Sequence, residues 1–361
     1  MASIVFADST LHYDGRDLER RPLGGTETSV IRCARELVRR GHQVTCFTNC
    51  DGPVEDNGVA WRPLSSAPPQ TCDLYIACHQ LELLSFVPRP KRRALWVLWP
   101  ANQLRHYKKF WRMWLYRPIP VLVSHYQAKT WSRVLPRPNP LIVLPFGLPE
   151  DVRGHPPLAN VPPPHAIFAS NPTRNLRRLV EIWASSILPR VPGAVLDVYG
   201  VHRLKPGEDA WNSWEGHVLP AGMPAHVKAS VRVHPSASRA DLIAAMRASR
   251  AMLFLGHKAE SFCIAAAEAQ ALGVPAVFAP VTVLPERVID GVTGFVRADE
   301  TEFAERAVAL LTDDALWRRQ HEAALQYQQG ISWSEHAGRL EAALLSDMEP
   351  IYRSVLATPP R

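Results

Sequence analysis

Apolar positions along the chain follow two alternating patterns: short continuous apolar runs, and longer stretches where apolar residues recur every three or four positions. The runs predict strands buried on both faces, as in parallel sheets, and the periodic stretches predict amphipathic helices that pack on them. SIVFA, the helix pattern after Gly25 and QVTCFT form the first strand–helix–strand unit. DLYIAC, RALWVLW, PVLVS and LIVLPFG predict four more strands before residue 149.

The stretch 149–165 interrupts this series and contains six prolines, which predicts a linker. Strands and helices alternate again after it, from HAIFAS to the helix pattern DETEFAERAVALLT. We therefore predict an α/β protein with two Rossmann-like parallel-sheet domains, an N-terminal one over 1–148 and a C-terminal one over 166–331. An amphipathic helix pattern occupies much of 332–361, with Trp333 near its start.

Length and composition agree with two soluble domains, because 361 residues can bury two cores. The first residues lack the basic segment of a secretory signal, and the longest uncharged apolar run is broken by Gly273 and Pro275, so we expect a cytoplasmic protein. The cysteines include no CxxC pair, which favours reduced, buried thiols over disulfides or a metal site. They are Cys33, Cys46, Cys50, Cys72, Cys78 and Cys263.

Positive charge is concentrated in one segment, residues 89–137, which we call the basic tract. No Asp or Glu occurs between Leu83 and Pro149, and KKFWRMWLYR within the tract interleaves basic and aromatic residues. This pattern is typical of a surface that attracts anions and has apolar anchors. An anionic acceptor or an anionic membrane face would suit it, and a solvated basic surface is the alternative; nucleic acid is not expected.

Several common motifs are missing, which narrows the function. The chain has no GxGxxG after a strand, no GxxxxGK[ST], no HExxH, no GxSxG and no DxD pair. Nucleotide-dependent dehydrogenases, P-loop NTPases, zinc proteases, α/β-hydrolases and metal-dependent DxD transferases are therefore disfavoured, and no metal site is expected.

Two segments at the starts of predicted helices could each bind a phosphate group. In LGGTE, Gly24 and Gly25 allow the backbone to approach a ligand, and the helix N-terminus suits a phosphate; a plain turn with a helix cap is the alternative. Arg174 ends the loop after the strand HAIFAS, where a guanidinium could bind a diphosphate bidentately. A solvated surface charge is the alternative there.

The most informative segment is ESFCIAAAE at 260–268. A helix that starts near Phe262 would leave the amides of Ser261 to Ile264 facing an anion, with Glu260 ahead of the helix and Glu268 inside it. A carboxylate among apolar neighbours is costly unless it accepts hydrogen bonds, for example from vicinal hydroxyls. We therefore predict that both glutamates bind the hydroxyls of a nucleotide diphosphate-sugar. Two exposed helix glutamates are the alternative.

These segments resemble the retaining glycosyltransferases of the GT-B fold, in particular glycosyltransferase family 4. The spacing of Glu260 and Glu268 matches the E-x7-E motif of that family, and EAQALGVPAV matches its usual continuation. LPERVIDGVTGFV, the Gly-Gly loop with its helix, and ISWSEHAGRL match further family segments. The resemblance covers most of the chain and implies a cleft between the two domains, and a closing helix over 332–361 that returns towards the N-terminal domain.

The resemblance also implies roles for individual residues in binding the donor. Glu260 would bind hydroxyls of the donor sugar, and Glu268 would bind the ribose. Phosphates or sugar would be bound by the backbone amides of Ser261, Phe262, Cys263 and Ile264. The diphosphate would lie against Gly24 and Gly25.

Two further positions matter for catalysis. Arg174 stands where the family usually has a diphosphate-binding Lys, but Ala169 replaces the Arg that the family often has five residues earlier. His79, in YIACHQ, lies near the place of a family active-site His, with a structural histidine as the alternative. The catalytic set implied is Glu260, Arg174 and His79.

The implied reaction is metal-independent, retaining transfer of a hexose, with a UDP- or GDP-linked sugar as co-substrate and no further cofactor. The acceptor would be a glycan, a lipid-linked molecule or a small molecule bound by the N-terminal domain, and the enzyme could be peripheral on the inner membrane face. Two rivals stay open: a nucleotide-sugar isomerase or hydrolase on the same scaffold, and a non-catalytic membrane or nucleic-acid binder that uses the basic tract.

Overall fold

The computed structural model describes residues 1–21, 23–106, 108–136, 141–200, 219–220, 222–234 and 237–346. The chain divides into two compact units. The first unit contains Met1–Gly147 and the chain after Gly330, and the second unit contains Leu148–Gly330. Among the described residues, no helix combines the length and the apolar character that a membrane crossing requires.

The first unit is built on an eight-stranded sheet with the order β3-β4-β2-β1-β5-β6-β7-β8. All neighbouring strands are parallel except β3 and β4, which form an antiparallel edge. The strands are β1 (Ser3–Ala7), β2 (Gln43–Thr48), β3 (Val54–Asp56), β4 (Val59–Pro63), β5 (Leu74–Cys78), β6 (Arg92–Val97), β7 (Ile119–Leu122) and β8 (Ile142–Val143). The helices are α1 (Asp17–Arg20), α2 (Gly25–Arg39), α3 (Arg112–Tyr116) and α4 (His125–Lys129), with 3-10 turns at Leu81–Ser85 and Ala101–His106.

The central strands of this sheet are mostly buried: β5 is buried at all five positions, and β1 at every position after its first. Covering both faces of a parallel sheet requires such continuous apolar runs. One core cluster joins Tyr75, Leu84, Leu95 and Met113, so α3 is anchored to the sheet by its single buried side chain, Met113.

The second unit contains a six-stranded sheet, parallel throughout, with the order β12-β11-β10-β13-β14-β15. After the short strand β9 (Gly147–Leu148), its strands are β10 (His165–Ala169), β11 (Val195–Tyr199), β12 (Val231–Val233), β13 (Ala251–Phe254), β14 (Ala276–Phe278) and β15 (Gly294–Val296). Its helices are α5 (Leu176–Ile182), α6 (Ala225–Ser230), α7 (Arg239–Arg247), α8 (Ile264–Ala271), α9 (Glu300–Thr312) and α10 (Asp314–Tyr327). A π-helical turn at Trp183–Ile187 and 3-10 turns at Glu150–Val152, Leu188–Arg190 and Leu284–Glu286 complete it.

The last described elements belong to the first unit. They are β16 (Ile331–Ser332) and α11 (Trp333–Leu345). Ser332 caps α11 by accepting a hydrogen bond from the Glu335 amide at 3.0 Å. This helix packs against α2, and Arg40 pairs with Glu341 at 2.6 Å. The part of the predicted closing segment after Ser346 lies outside the described residues.

The predicted fold class, α/β with two Rossmann-like parallel-sheet domains, is confirmed. The stretch 149–165, which its prolines mark as a linker, belongs to the second unit. It contains a 3-10 turn, and the Leu158 amide hydrogen bonds to His321 at 2.9 Å. Proline-rich composition predicts the absence of a helix or strand interior, but it does not distinguish a free linker from a segment packed along a domain surface.

Candidate functional site

Strand order in the second unit identifies one edge of its sheet as the place for a ligand. Numbered along the unit, the order is 3-2-1-4-5-6, and the connections leave β10 and β13 towards opposite sides of the sheet. A crevice forms at the carboxyl ends of two such strands, and nucleotides bind there in folds of this type. The segments that follow β10 and β13 contain Arg174 and Glu260, so two residues singled out from the sequence meet at this switch point.

The loop after β10 holds Arg174 through its own hydrogen bonds. The Asn171 side chain accepts from the Thr173 amide at 3.0 Å, and the Asn175 side chain donates to the Gly256 carbonyl at 2.7 Å. The second bond joins this loop to the loop after β13. Asn175 takes the left-handed conformation, φ 65°, which ends the loop and starts α5. Arg174 is thereby placed beside Glu260.

The guanidinium of Arg174 donates a hydrogen bond to the carboxylate of Glu260. The Glu260 side chain is buried, and this burial raises its pKa, while the nearby Arg174 opposes the rise. The Arg174 side chain remains 35% exposed, so the cation can also reach a ligand from the solvent side. A buried carboxylate paired with a partly exposed cation can bind a ligand that carries both hydroxyls and negative charge.

The helix after Glu260 starts later than the sequence predicted. We expected a start near Phe262, but α8 begins at Ile264, and Cys263 before it has φ 60° and ψ 72°. A left-handed residue cannot continue a right-handed helix, so Ser261 and Phe262 belong to the preceding loop. The first amides of α8 still lack partners within the helix, as those of every α-helix do. The predicted amide set from Ser261 to Ile264 therefore spans a loop and a helix start.

The side chain of Phe262 is buried and not open to a ligand. Its ring is buried beneath the guanidinium of Arg287, whose central carbon lies 4.4 Å from the ring centroid. Burial lowers the pKa of Arg287. Phe262 thus anchors this loop in the core, and only its backbone is left for the predicted contact.

Glu268 lies one turn inside α8 and is 7% exposed, and Glu260 is 3% exposed. Their burial excludes the alternative of two exposed helix glutamates. Its carboxylate accepts a hydrogen bond from Arg239 at 2.9 Å. Arg239 also binds Asp151 through two bonds of 2.5 and 2.7 Å. Each predicted glutamate therefore has its own arginine partner.

Sequence reasoning missed Arg239 and Asp151. Arg239 is the first residue of α7, after the capping Ser238. A cation at a helix N-terminus is unfavourable with the helix dipole, so an arginine there was a detectable signal for a second role. Asp151 lies in the proline-rich stretch that we took for a linker, and no local signal marked it.

In the first unit, the Gly-Gly loop forms the cap of α2. Gly24 has extended backbone as the N-cap, and Gly25 is the first helical residue. A Cβ on Gly24 would overlap the carboxylate of Glu27, which is buried and accepts a hydrogen bond from Thr10 at 3.1 Å. Burial raises the pKa of Glu27. Glu27 is a further buried acid that the sequence analysis did not single out.

His79 follows β5, and the Gly-Gly loop comes after β1. These two strands are neighbours, and the switch point of the first sheet lies between them. The residue has φ 64°, and its ring stacks on Trp99 with centroids 4.9 Å apart. Burial lowers the pKa of His79 to about 4, so the imidazole is neutral at pH 7. Its role in catalysis stays a prediction.

The two sets of predicted residues lie in different units: Gly24, Gly25 and His79 in the first, and Arg174, Glu260 and Glu268 in the second. Ala169 is the buried last residue of β10. No group of three or more His, Cys, Asp or Glu side chains with the arrangement of a metal site occurs in the part of the chain that the structure describes.

Residues 224–327 match the model of the family Glycosyl transferases group 1. The chain is 36% identical over 121 residues to D-inositol 3-phosphate glycosyltransferase 1 of Catenulispora acidiphila, which covers 33% of this chain and 29% of that relative. It is 34% identical over 115 residues to the D-inositol 3-phosphate glycosyltransferase of Thermobifida fusca, covering 31% and 26% of the two chains. The chain therefore spans less than a third of the length of these curated relatives.

Similarity to solved structures extends over nearly the whole chain. Sucrose-phosphate synthase from Thermosynechococcus elongatus superimposes with a TM-score of 0.70 at 15% identity, over 95% of this chain and 98% of that one. Anabaena HepE in complex with UDP-glucose gives a TM-score of 0.65 at 15% identity, over 95% and 99%. At such identities the likeness concerns the fold. The chain thus has the GT-B fold, and it carries a glycosyl transferases group 1 domain in residues 224–327.

Proposed function

We propose that this protein is a retaining, metal-independent glycosyltransferase that moves a hexose from a nucleotide diphosphate-sugar to an acceptor. The observation that carries the proposal is the contact between Arg174 and Glu260, which joins the segments after β10 and β13 at the switch point of the second sheet. The group 1 match over 224–327 includes Glu260 and Glu268 and supports the same reading.

The donor is bound by the second unit in this proposal. Glu260 accepts hydrogen bonds from hydroxyls of the transferred sugar, and Arg174 binds the diphosphate. The amides of Ser261 to Ile264 add neutral donors beside the phosphates. Gly24 and Gly25 lie in the first unit, and their contact with the diphosphate stays a prediction from the family resemblance.

Glu268 binds the vicinal hydroxyls of the ribose. Arg239 pairs with Glu268 and Asp151, and the contact holds the Glu268 carboxylate in place, where its oxygens can accept hydrogen bonds from hydroxyls. Arg239 is therefore a positioning residue for the nucleoside end of the donor.

In the transfer itself, the bond between the anomeric carbon and the diphosphate oxygen breaks, and a bond to the acceptor oxygen forms on the same face. The proton of the acceptor hydroxyl passes to the leaving diphosphate. Arg174 and the amides before α8 stabilise the negative charge that develops on that group. His79 is uncharged at pH 7, so it contributes hydrogen bonding and not a positive charge.

The proposal extends to the nucleotide of the donor and to the kind of acceptor. UDP-sugars are the first donors to test, because the similar HepE structure holds UDP-glucose, and GDP-sugars are the second. A glycan, a lipid-linked molecule or a small molecule bound by the first unit serves as acceptor. The curated relatives are named for D-inositol 3-phosphate, so that compound belongs in the acceptor panel.

Thermal unfolding with UDP-, GDP-, ADP- and TDP-sugars tests the first step. A ligand at 100 times its dissociation constant adds ~2.7 kcal/mol of stability. A midpoint shift with one nucleotide, followed by acceptor-dependent release of that nucleoside diphosphate, supports the transferase. Release without any acceptor indicates the hydrolase rival, and no shift with any nucleotide or nucleotide-sugar contradicts donor binding.

A further inference from the structure

An exposed apolar face lies in the middle of the basic tract. It consists of Phe110, Trp111, Trp114, Leu115 and Val134, which we call the aromatic face. Their exposed fractions run from 37% for Phe110 to 61% for Leu115. Large apolar side chains are rarely exposed together on a monomer unless the patch meets a partner or a membrane.

The backbone holds Trp111, Trp114 and Leu115 on one side of a helical turn. Trp111 precedes α3 with helical backbone angles, and the amides of Trp114 and Leu115 both donate to its carbonyl, at 3.0 and 3.2 Å. Residues spaced by three and four on such a turn lie on the same face. Met113 points the other way and is fully buried in the core cluster. The turn is thus fixed to the first unit by its inner side, and its outer side is apolar.

One hydrogen bond prepares this face for an apolar environment. The Trp114 indole N–H donates to the Val134 carbonyl at 3.1 Å, so the polar atom of this ring already has a partner within the protein. Burying the ring in an apolar phase then leaves no unpaired donor. The same bond brings Val134 beside α3 and extends the face beyond the turn.

Positive side chains flank the residues of the aromatic face along the chain. Lys108, Lys109, Arg117, Lys129 and Arg133 are exposed. Lys109 lies 3.7 Å from Glu82, whereas Arg112 is turned inward and donates to the Glu82 carbonyl at 2.6 Å. Arg137, also in the tract, lies outside the described residues. An apolar centre with a cationic rim is complementary to the interface of an anionic bilayer.

Other occupants fit this surface less well. A second copy of the chain would bring two cationic rims together, which is repulsive. Single-stranded nucleic acid would stack on the indoles and contact the cations, but it would leave the aliphatic Leu115 and Val134 without a partner. These two side chains, exposed by 61% and 54%, favour lipid.

We propose that the aromatic face of the first unit inserts into the interfacial region of an anionic membrane, with the cationic rim on the lipid headgroups. This inference does not depend on the transferase activity. If the activity is also correct, the enzyme takes its acceptor at the membrane surface.

Sedimentation of the full chain with vesicles tests the inference. One vesicle is phosphatidylcholine, and the other is an equimolar mixture of phosphatidylcholine and phosphatidylglycerol. We expect binding to the mixed vesicles that weakens with added salt, and much weaker binding to the neutral ones. No binding to the mixed vesicles at low salt overturns the proposal, whatever the enzyme assays show.

Variants separate insertion from simple charge attraction. Trp111→Ser with Trp114→Ser is expected to lower partitioning at least tenfold. Leu11→Ser, which removes a 53%-exposed leucine from elsewhere in the first unit, is the matched control and should change nothing. Lys108→Gln and Arg117→Gln should each cost about fivefold, and Arg319→Gln in the second unit should cost nothing. Unchanged melting of every variant confirms folding.

Two results would contradict insertion. Equal binding of wild type and the double tryptophan variant would leave only a diffuse basic surface. Tighter binding to a single-stranded oligonucleotide than to mixed vesicles, lost in the same variant, would assign the face to nucleic acid. Quenching of wild-type tryptophan fluorescence by bromine-labelled lipid, reduced in the double variant, would support insertion directly.

Discussion

Nη2 of Arg239 lies 2.9 Å from a carboxylate oxygen of Glu268, and the same guanidinium binds Asp151 through two hydrogen bonds. One cation therefore serves two carboxylates in the second unit, one from the 3-10 turn at Glu150–Val152 and one from the middle of α8. Because Glu268 is 7% exposed, little water reaches its carboxylate, and the contact with Arg239 replaces part of that hydration.

Removing that cation should weaken both the fold and nucleotide binding. For Arg239→Met we expect a loss of about 1–3 kcal/mol in the free energy of unfolding, because a buried carboxylate loses its charged partner. The affinity for UDP or GDP, measured by calorimetry, should fall at least tenfold. Arg319→Met, at an exposed position of α10, is the control. Unchanged nucleotide affinity in Arg239→Met would exclude a positioning role.

Replacing Glu260 and replacing Glu268 should impair different steps, turnover in the first case and nucleotide binding in the second. Glu268→Ala is expected to lower the affinity for the free nucleoside diphosphate, since it removes the proposed ribose contact. Glu260→Ala should leave that affinity nearly unchanged and lower kcat, because its proposed partner is the transferred sugar. Calorimetry and steady-state kinetics together separate the two effects. Glu302→Ala, at a 61%-exposed side chain, is the control, and identical behaviour of the two site variants would refute the assignment.

Arg174 is expected to act mainly on the transition state. In Arg174→Met the leaving diphosphate loses a cation, so kcat/KM should fall by 10²-fold or more, while Glu260 stays buried without its partner. Arg174→Lys should restore part of kcat, since a lysine still carries the charge. Arg177→Met, whose side chain is 54% exposed on the same loop–helix segment, should retain full activity. A normal rate in Arg174→Met would show that this cation does not assist the chemistry.

Much of the fold and of the candidate site could be predicted from the sequence, because the residue patterns that indicate them are local. The apolar runs of β1 and β13 indicate strands buried on both faces, and Gly273 with Pro275 marks the end of α8. Glu260 and Glu268 attract notice because their neighbours are apolar.

What could not be predicted depends on contacts between distant residues. Arg239 and Asp151 are separated by 88 positions, and no periodicity indicates their pairing. The start of α8 was placed too early because Cys263 adopts a left-handed conformation, which is uncommon for residues other than glycine. The order of the six strands in the second sheet also follows from non-local pairing, and only the structure reveals its switch point.

His336 should make the stability of the first unit depend on pH. It is buried, its Nδ1 lies 2.8 Å from the Pro145 carbonyl, and burial lowers its pKa to about 4 from 6.5. Between these values the unfolded chain binds a proton that the folded chain does not, so stability falls as pH drops from 6.5 towards 4, by roughly 3 kcal/mol at most.

A comparison of variants isolates this effect. Burial raises the pKa of Asp8 and Glu27 in the same unit, and these acids act in the opposite direction, so only differences between variants are informative. In His336→Gln, the melting temperature should fall less between pH 6.5 and 4 than in wild type. The exposed His12→Gln should behave like wild type. An identical pH dependence in all three proteins would argue against a neutral buried His336.

Gly273 should be intolerant of alanine. It has φ 79°, and its amide and that of Val274 donate back to Gln270 and Ala269, at 3.0 and 2.9 Å, which closes α8 in a Schellman motif. A Cβ there would lie 2.6 Å from a His321 ring nitrogen. We expect Gly273→Ala to cost about 3 kcal/mol, from left-handed strain plus the overlap.

Gly193→Ala provides the matched comparison in the same unit. Its φ is 89°, but a Cβ there would meet no atom within 4 Å. The expected cost is about 1 kcal/mol, from the backbone conformation alone. Denaturant midpoints of the two variants measure the difference. Equal losses of stability would mean that the α10 side chains around Gly273 can move aside at no cost in free energy.

The position of α11 has a consequence for the order in which the protein is made. The ribosome synthesises β1, α2 and the rest of the first sheet before the second unit, but α11, which packs on α2, follows Gly330. The unit that is begun first is therefore completed last. Until Trp333–Leu345 emerges, the surface of α2 that it covers is exposed to chaperones and to other nascent chains, whereas the second unit has all its described strands by Val296.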